Sequence, residues 1–281
     1  MALSNQSTYK LPTGHAIPAI GLGVWDSPSN VTVKTCLEAL KRGYRLIDTA
    51  EGYHNETEVG EALKQSGLPR DQVFITTKIY EPGEDAEATR QKLLNGINKS
   101  GGEGGYVDLL LIHNADVGAR ARKLIWQQLE ALHKEGRIKS IGVSNFGIQH
   151  LEQLKEYATV WPPAINQLEL HPWLQQREVV DWCKQNGIVL EAYCPLVRNQ
   201  KANDEVLNSI AKQHDKTTAQ ILIRYCLQKG WIPLPKSDNP KRIQQNFDVF
   251  GWEIDAAAMK KLDAMPQEAA LCYEVDNKDR S

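Results

Sequence analysis

The chain lacks any apolar run approaching the ~20 residues a bilayer-spanning helix requires, so no membrane span is expected. It lacks a charge imbalance as well: with a formal net charge of -2, no global basic field draws it to nucleic acid or an anionic membrane. Cysteine is sparse, and Cys36, Cys183, Cys194, Cys226 and Cys272 form no C-x-x-C pair. They read as free thiols of a reducing cytosol, not as a disulfide framework. The first residues, Met-Ala-Leu-Ser-Asn-Gln, show no basic segment followed by an apolar one, so a secretory leader is not expected and the location is read as cytoplasmic. No H-E-x-x-H or cysteine-paired histidine spacing offers a metal site. No G-x-G-x-x-G opens a strand–helix unit either: Gly21-Leu-Gly-Val-Trp-Asp26 fails at its last position, which disfavours a Rossmann domain. Linkers and low-complexity tracts are missing, apart from the flexible connection Gly101-Gly-Glu-Gly-Gly105.

What the chain does have is alternation. Short apolar runs, read as buried strands, cover Ile20–Val24, Arg45–Thr49, Val73–Thr77, Val107–Ile112, Ile138–Val143, Ala164–Leu168, Ile188–Tyr193 and Trp231–Pro235. Stretches with helical spacing follow each in turn: Val31–Lys41, Glu56–Gln65, Glu87–Lys99, Arg122–Glu135, Ile148–Tyr157, Arg177–Gln185, Asp204–Gln228 and Lys241–Phe247. Near-continuous apolar strands separated by helices indicate a parallel sheet covered on both faces. Eight such units without a central break favour a closed α/β (β/α)8 TIM barrel, and 281 residues suit one barrel domain. Residues 9–18, with Pro12-Thr-Gly14 at the turn, read as a β-hairpin closing the barrel floor. From about residue 266 the pattern dissolves into a short polar tail.

In such a barrel, catalysis sits where the strands end. Those ends carry Asp48 with Tyr53 just beyond, then Lys78, His113 with Asn114, Ser144 with Asn145, Gln167 with Glu169, Tyr193, and Lys236 with Ser237. Each has a plain structural reading: a helix-flanking aromatic, a strand-end cap, a solvated lysine, a satisfied core histidine. Strand phase nonetheless aims Asp48, Tyr53, Lys78 and His113 at one rim, and that joint placement favours a working site. A lysine beside a phenol lowers the phenol pKa from its ordinary ~10. A carboxylate beside the lysine keeps it charged and aimed, and an imidazole can orient a carbonyl oxygen. These groups suit protonation of an oxygen gaining negative charge, and the electrons then have to come from a cofactor. Asn239 as N-cap, Pro240 at the first helical position, and Lys236, Ser237 and Arg242 around them make an anion site where barrels often bind phosphate. Ser144, Asn145 and Gln167 can hydrogen-bond a carboxamide, and Tyr193 offers a face for a ring. Trp25 and Trp173, after the first and sixth strands, are read as apolar walls of the substrate pocket, and Arg120-Ala-Arg-Lys123 as a solvated helix start.

Together these residues resemble the aldo-keto reductases, the compact microbial members especially. The resemblance runs from about Gly21 to Phe250. It rests on Asp48-Thr-Ala-Glu-Gly-Tyr-His-Asn-Glu56, Thr77-Lys78, Leu111-Ile-His113, Gly142-Val-Ser-Asn-Phe146, Asn166-Gln-Leu-Glu-Leu-His-Pro172, Ala192-Tyr-Cys-Pro-Leu196 and Pro235-Lys-Ser237 with Arg242 and Asn246. It implies a metal-free NADPH-dependent reductase of aldehydes or ketones, monomeric, with NADH less favoured. Tyr53 would be the proton donor, Lys78 and Asp48 its tuning pair, and His113 the orienting imidazole. Ser144, Asn145 and Gln167 would hold the nicotinamide amide and Tyr193 would stack on its ring. Lys236, Ser237, Arg242 and Asn246 would bind the adenosine 2′-phosphate and adenine. The departures are local. Asn114-Ala115 and Tyr80 stand where many members carry Trp or Pro, so Trp25, Tyr80 and Asn114 are expected to shape the substrate mouth. Asp238 puts a negative charge beside the phosphate site. The loop Val197–Asn203 is short, which leaves no long belt over the pyrophosphate and predicts weaker cofactor retention. Two rival readings are a Schiff-base aldolase or lyase using Lys78, and a non-catalytic nicotinamide-binding scaffold.

Overall fold

The computed structural model describes residues 3–272. An antiparallel pair, β1 (Thr8–Lys10) and β2 (Ala16–Pro18), precedes eight parallel strands. These are β3 (Leu22–Gly23), β4 (Leu46–Asp48), β5 (Phe74–Ile79), β6 (Val107–Ile112), β7 (Ile138–Ser144), β8 (Ile165–Glu169), β9 (Val189–Tyr193) and β10 (Ile232–Leu234), paired in chain order. The ring closes where the Gly21 and Gly23 N–H groups donate to the Pro233 and Pro235 carbonyls, each at 3.1 Å. The two glycines of the failed dinucleotide motif therefore have a packing role. A Cβ on Gly21 would lie 2.6 Å from Leu46 Cγ and 2.7 Å from Leu234 Cδ2. Gly21→Ala is expected to lower stability by about 1–3 kcal/mol, the usual cost of overpacking. Urea unfolding measures it, and an unchanged midpoint would mean the two leucines yield freely.

Side-chain parity along the strands sorts the barrel into an inside and an outside. Leu46, Phe74, Leu109, Leu111, Ile165, Ile232 and Leu234 form an inner cluster with Leu11 and Ile17 of the N-terminal hairpin. Ile47, Ile75, Leu110, Ile112, Ile141, Val143, Leu168, Leu190 and Ala192 belong to the outer core under the helices. The hairpin thus stops the N-terminal end of the barrel, and Thr13 Oγ1 meets Ser140 Oγ at 2.7 Å. Counting up each strand in twos from the apolar inner layer reaches Asp48, Lys78, His113, Gln167, Glu191 and Tyr193. Strand phase alone carries these polar groups to the interior of one mouth.

Helices α1 (Ser29–Arg42), α2 (Glu56–Gln65), α3 (Ala86–Gly101), α4 (Ala119–Lys134), α5 (Ile148–Tyr157) and α6 (Arg177–Gln185) follow successive strands, close to the expected spans. The expected helix over 204–228 is instead two, α7 (Glu205–Gln213) and α8 (Thr218–Gln228). Asp215 breaks the run with φ 51, and Thr217 restarts it, its Oγ1 accepting from Gln220 N–H. After α9 (Pro240–Phe247), a short helix α10 (Ala256–Asp263) was not anticipated, because its Ala- and Lys-rich eight residues carry a weak apolar stripe. Residues 266–272 form no helix or strand, yet they are bound to the upper rim. Glu268 N–H donates to Trp173 O (2.8 Å), Gln200 Nε2 to Leu271 O (3.0 Å), and Leu271 N–H to Glu169 Oε1 (2.9 Å). The rest of the expected tail lies outside the described residues. Among the described residues, no helix is long and apolar enough to cross a membrane.

Candidate active site

Tyr53 ends a 3-10 turn, Glu51–Tyr53, that starts two residues after β4. The turn is anchored by Asn55, which is fully buried. Asn55 Oδ1 accepts from Thr49 Oγ1 at 2.7 Å, and its Nδ2 donates to the Val24 and Ser27 carbonyls at 2.9 and 3.3 Å. Lys78 is buried on β5. Its Nζ donates to Asp48 Oδ1 (2.6 Å), to Thr49 O (2.9 Å) and to Tyr53 Oη (3.2 Å). An ammonium has three hydrogens and no acceptor, so all three are engaged. Tyr53 Oη is therefore an acceptor in this contact, and its own hydrogen is free to point into the cavity. His113 stands edge-on to Tyr53, with ring centroids 5.7 Å apart at 77°. The tetrad is assembled at one rim.

Protonation departs from the sequence expectation in one respect. Burial raises the Tyr53 pKa, and the Lys78 ammonium, which pulls it down, does not overcome this. Proximity of a cation was expected to win; removal of water from the hydroxyl outweighs it, so Tyr53 is a neutral phenol well beyond neutral pH. Lys78 loses by burial but gains more from Asp48 and Tyr53, and its pKa is raised. Burial, with the Lys78 charge adding to it, pushes His113 down to about 3, so its imidazole is neutral and offers a single N–H.

Along the neighbouring strand ends, Asn145 takes a left-handed φ of 60, which Asn tolerates. Its Nδ2 donates to His113 O (3.1 Å) and Ser144 Oγ (3.2 Å), and Tyr193 Oη donates to its Oδ1 (2.9 Å). Gln167 Nε2 donates to Asp48 Oδ2 (2.9 Å) and to Glu191 Oε2 (2.8 Å), while its Oε1 accepts nothing among the described residues. A nicotinamide carboxamide fits here: the Gln167 amide oxygen is an unused acceptor, and the buried Nδ1 of His113 has no partner among the described residues. At the phosphate end, Lys236, Ser237, Asp238, Asn239, Pro240 and Arg242 line an open hollow of about 480 Å³. Asn239 caps α9 as expected, its Oδ1 accepting from the N–H groups of Lys241 and Arg242. Asn246 is buried near the end of that helix. Asp238 is itself tied down: it accepts from Ser27 Oγ, from Thr35 Oγ1 (3.0 Å) and from Lys236 Nζ (2.8 Å). Burial pushes its carboxyl up, but these donors hold it below the usual range. The charge of Lys236 is thereby largely answered by Asp238.

The substrate mouth needs three corrections. Asn114 is buried, and its Oδ1 accepts from Asp116 N–H at 3.4 Å; it caps a turn and does not line an open pocket. The polar feature there is the half-buried pair of Tyr80 and Asp116, Tyr80 Oη donating at 3.2 and 3.3 Å to the two carboxylate oxygens. Trp173 is 1% exposed and belongs to the core, so it walls nothing, whereas Trp25 is 43% exposed on the rim. Arg122 is buried as well: it donates to Ala115 O and to Gln153 Oε1 (2.6 Å), clamping the turn after β6 to α5 instead of facing water. The loop after β9 is short as expected, but the Arg198 guanidinium lies 4.1 Å above the Trp25 ring. It reaches the loop after β3 across the end of β10.

Two carboxylates were not marked as site residues. Glu169 ends β8 and holds the 266–272 segment. Glu191 has the same inward parity as Asp48, and that was the available signal; it was masked by the apolar run around it. Fully buried, with Oε1 lacking any partner among the described residues, it is pushed up to about 8 by burial and by the charge of Asp48. The folded state thus holds this proton more tightly than the unfolded chain does. Stability from Glu191 is complete below the ordinary glutamate value of about 4.3 and is lost as pH rises toward about 8. Glu191→Gln, which cannot ionise, is expected to flatten the fall of Tm across that window. An unchanged slope would assign the fall to other groups.

Comparison with known proteins agrees with this geometry. The family model "Aldo/keto reductase family" matches residues 19–266. The glyoxal reductase of Bacillus subtilis is 40% identical over 269 residues, covering 95% of this chain and 96% of that protein. An aldo-keto reductase from a deep-sea metagenome library superimposes with a TM-score of 0.90 at 39% identity, covering 97% of this chain and 100% of the other. A Bombyx mori aldo-keto reductase, solved in complex with NADP, gives 0.86 at 29% identity, with 96% of each chain covered. The chain belongs to the aldo/keto reductase family. It is an oxidoreductase of carbonyl compounds that works with a nicotinamide cofactor.

Proposed function

We propose that this protein reduces small aldehydes, ketones and α-dicarbonyl compounds with NADPH, using Tyr53 as general acid. The observation that carries the reading is the Lys78 ammonium with all three hydrogens committed, one of them to the phenol oxygen. Bound reduced nicotinamide supplies the hydride. The neutral His113 imidazole orients the carbonyl oxygen with its N–H. Tyr53 gives its proton to that oxygen as negative charge grows there, and Lys78 stabilises the phenolate left behind. Lys78 therefore works on the phenolate product more than on the resting phenol, which burial keeps neutral. Small dicarbonyls are suggested by the glyoxal reductase likeness and by the polar Tyr80–Asp116 pair at the mouth. The carboxylate of Asp116 disfavours anionic substrates.

Arg242, on the hollow after β10, supports the 2′-phosphate as ligand, while Asp238 reduces what Lys236 contributes. One charge-assisted contact of ~1.4 kcal/mol corresponds to about a tenfold preference for NADPH over NADH. Steady-state oxidation of each cofactor with a panel of aldehydes, ketones and dicarbonyls tests both statements. Equal kcat/KM with the two cofactors would remove Arg242 from the reading, and no turnover with any carbonyl would leave the scaffold reading. A Schiff-base lyase is disfavoured, because Lys78 has no free lone pair.

A further inference from the structure

Gln167 reaches across the barrel. It stands on β8, and Asp48 stands on β4, four places away around the ring of eight strands. Across that span Gln167 Nε2 donates to Asp48 Oδ2 at 2.9 Å, and sideways the same nitrogen donates to Glu191 Oε2 at 2.8 Å. Glu191 is the direct partner of Gln167 in the β8–β9 ladder, so the two side chains leave adjacent strands at one level and point inward together. Glu191 is 0% exposed and Gln167 is 2% exposed. Among the described residues, Glu191 has no other hydrogen-bonding partner, and its Oε1 has none at all. A sealed carboxyl group with a single bond is costly to keep. Its one bond falls on a residue of the cofactor mouth.

We propose that Glu191 is a positioning residue for the cofactor: with Asp48 it clamps the Gln167 amide so that the nitrogen faces the two acids and the oxygen faces the nicotinamide carboxamide. This rests on the reading of Gln167 as a carboxamide ligand. The last torsion of a glutamine is broad, and its two amide ends are interchangeable in shape but opposite in hydrogen bonding. One acceptor, Asp48, decides which end is nitrogen. It leaves the amide plane free to swing about that contact. A second acceptor on the same nitrogen fixes the plane, and with it the direction of Oε1. A reversed amide would set its oxygen against two carboxyl oxygens at 2.8 and 2.9 Å. The backbone beneath is pinned as well, since Gln167 O accepts from Ser144 Oγ at 2.9 Å and from Asn145 N–H at 3.0 Å.

Glu191 does this without adding a second charge at neutral pH. Burial and the charge of Asp48 push its carboxyl up to about 8, so it holds its proton there. Oε2 accepts from Gln167, which leaves the proton on Oε1. Glu191 is then an acceptor that does not compete with Asp48 for the Lys78 ammonium. A glutamine at this position has the same shape and the same carbonyl acceptor. A methionine has the length and lacks the acceptor.

The test titrates the full-length protein at neutral pH, by calorimetry, with NADP+ and with its 3-acetylpyridine analogue, in which a methyl replaces the carboxamide NH2. Wild type is expected to bind NADP+ about tenfold more tightly than the analogue, the worth of one hydrogen bond in a buried site. Glu191→Met is expected to weaken NADP+ about tenfold and the analogue by no more than about twofold, so the preference disappears. Glu191→Gln is expected to keep both affinities within about twofold of wild type. Glu191→Leu is the second apolar variant, and only protein with the wild-type near-ultraviolet spectrum is titrated. Equal weakening of both ligands by Glu191→Met would reduce Glu191 to general support of the fold and overturn the proposal. An unchanged preference in the apolar variants overturns it too. Loss of the preference in Glu191→Gln would show that the acceptor at 191 is not what sets the amide. Equal binding of the two ligands by wild type instead brings down the carboxamide reading of Gln167, and the inference with it, so the two failures are seen apart.

Discussion

Tyr53→Phe is expected to lose about 10²–10⁴-fold in turnover, the range of a positioned general acid, while NADPH binding stays within about twofold. The substitution keeps the ring that stands edge-on to His113 and removes only the oxygen that accepts from Lys78. A buried ammonium hydrogen is left without its acceptor, so a loss of roughly 1–3 kcal/mol of stability should accompany it. Transient kinetics with a bound-cofactor signal separates the losses: cofactor association is kept and the chemical step is slowed. Near wild-type aldehyde reduction by the variant would sink the assignment. The wild-type pH profile adds an independent check. An acid must be protonated to act, so its rate falls as pH rises through its pKa. Because burial raises Tyr53 despite Lys78, reduction should stay level through neutral pH and decline only in strongly alkaline solution. A decline centred near neutral pH would instead restore the view that the cation dominates.

That contrast marks where sequence reasoning reaches its limit. Strand phase and strand ends are properties of the chain, and they suffice to bring Asp48, Lys78, His113, Gln167 and Tyr193 to one mouth. The same parity pointed at Glu191, but an acid inside Ile188–Tyr193 was read with its apolar neighbours. Its meaning depends on Gln167, 24 residues away along the chain, and on Asp48, which lies a further 119 residues from Gln167. Burial was the second blind spot. Trp173 and Arg122 follow strands or open helices in sequence, and nothing local says that one is sealed in the core and the other clamps a turn. Desolvation is a property of the whole fold, so the balance on Tyr53 could not be settled from spacing alone. Backbone breaks showed the same dependence. Asp215 takes φ 51 between two helices whose apolar periodicity reads as continuous.

Lys78→Met should be the most damaging single change in the protein, because it strikes stability and chemistry through different atoms. Lys78 and Asp48 are a buried ion pair at 2.6 Å, with side chains 0% and 4% exposed. Removing one partner of such a pair costs about 3–5 kcal/mol, since the other is left as an uncompensated charge. Asp48 would answer by taking up a proton, its folded pKa moving above the unfolded value. The variant's stability should then be greatest in acid and fall as pH rises. Turnover should collapse as well, because no cation remains to stabilise the Tyr53 phenolate. A second substitution separates the effects. Lys78→Met with Asp48→Asn removes the stranded charge and keeps an amide oxygen at position 48 for Gln167 Nε2. Most of the lost urea midpoint should return, and turnover should not. Were both recovered, the cation would be a structural counter-charge with no part in proton transfer. Were neither, the lost stability would come from the packing of the four-carbon stem. Borohydride in the presence of an aldehyde should leave Lys78 unmodified in wild type, because its nitrogen holds all its protons between Asp48, Thr49 and Tyr53. A reduced adduct on that nitrogen would overturn the reductase mechanism in favour of Schiff-base chemistry.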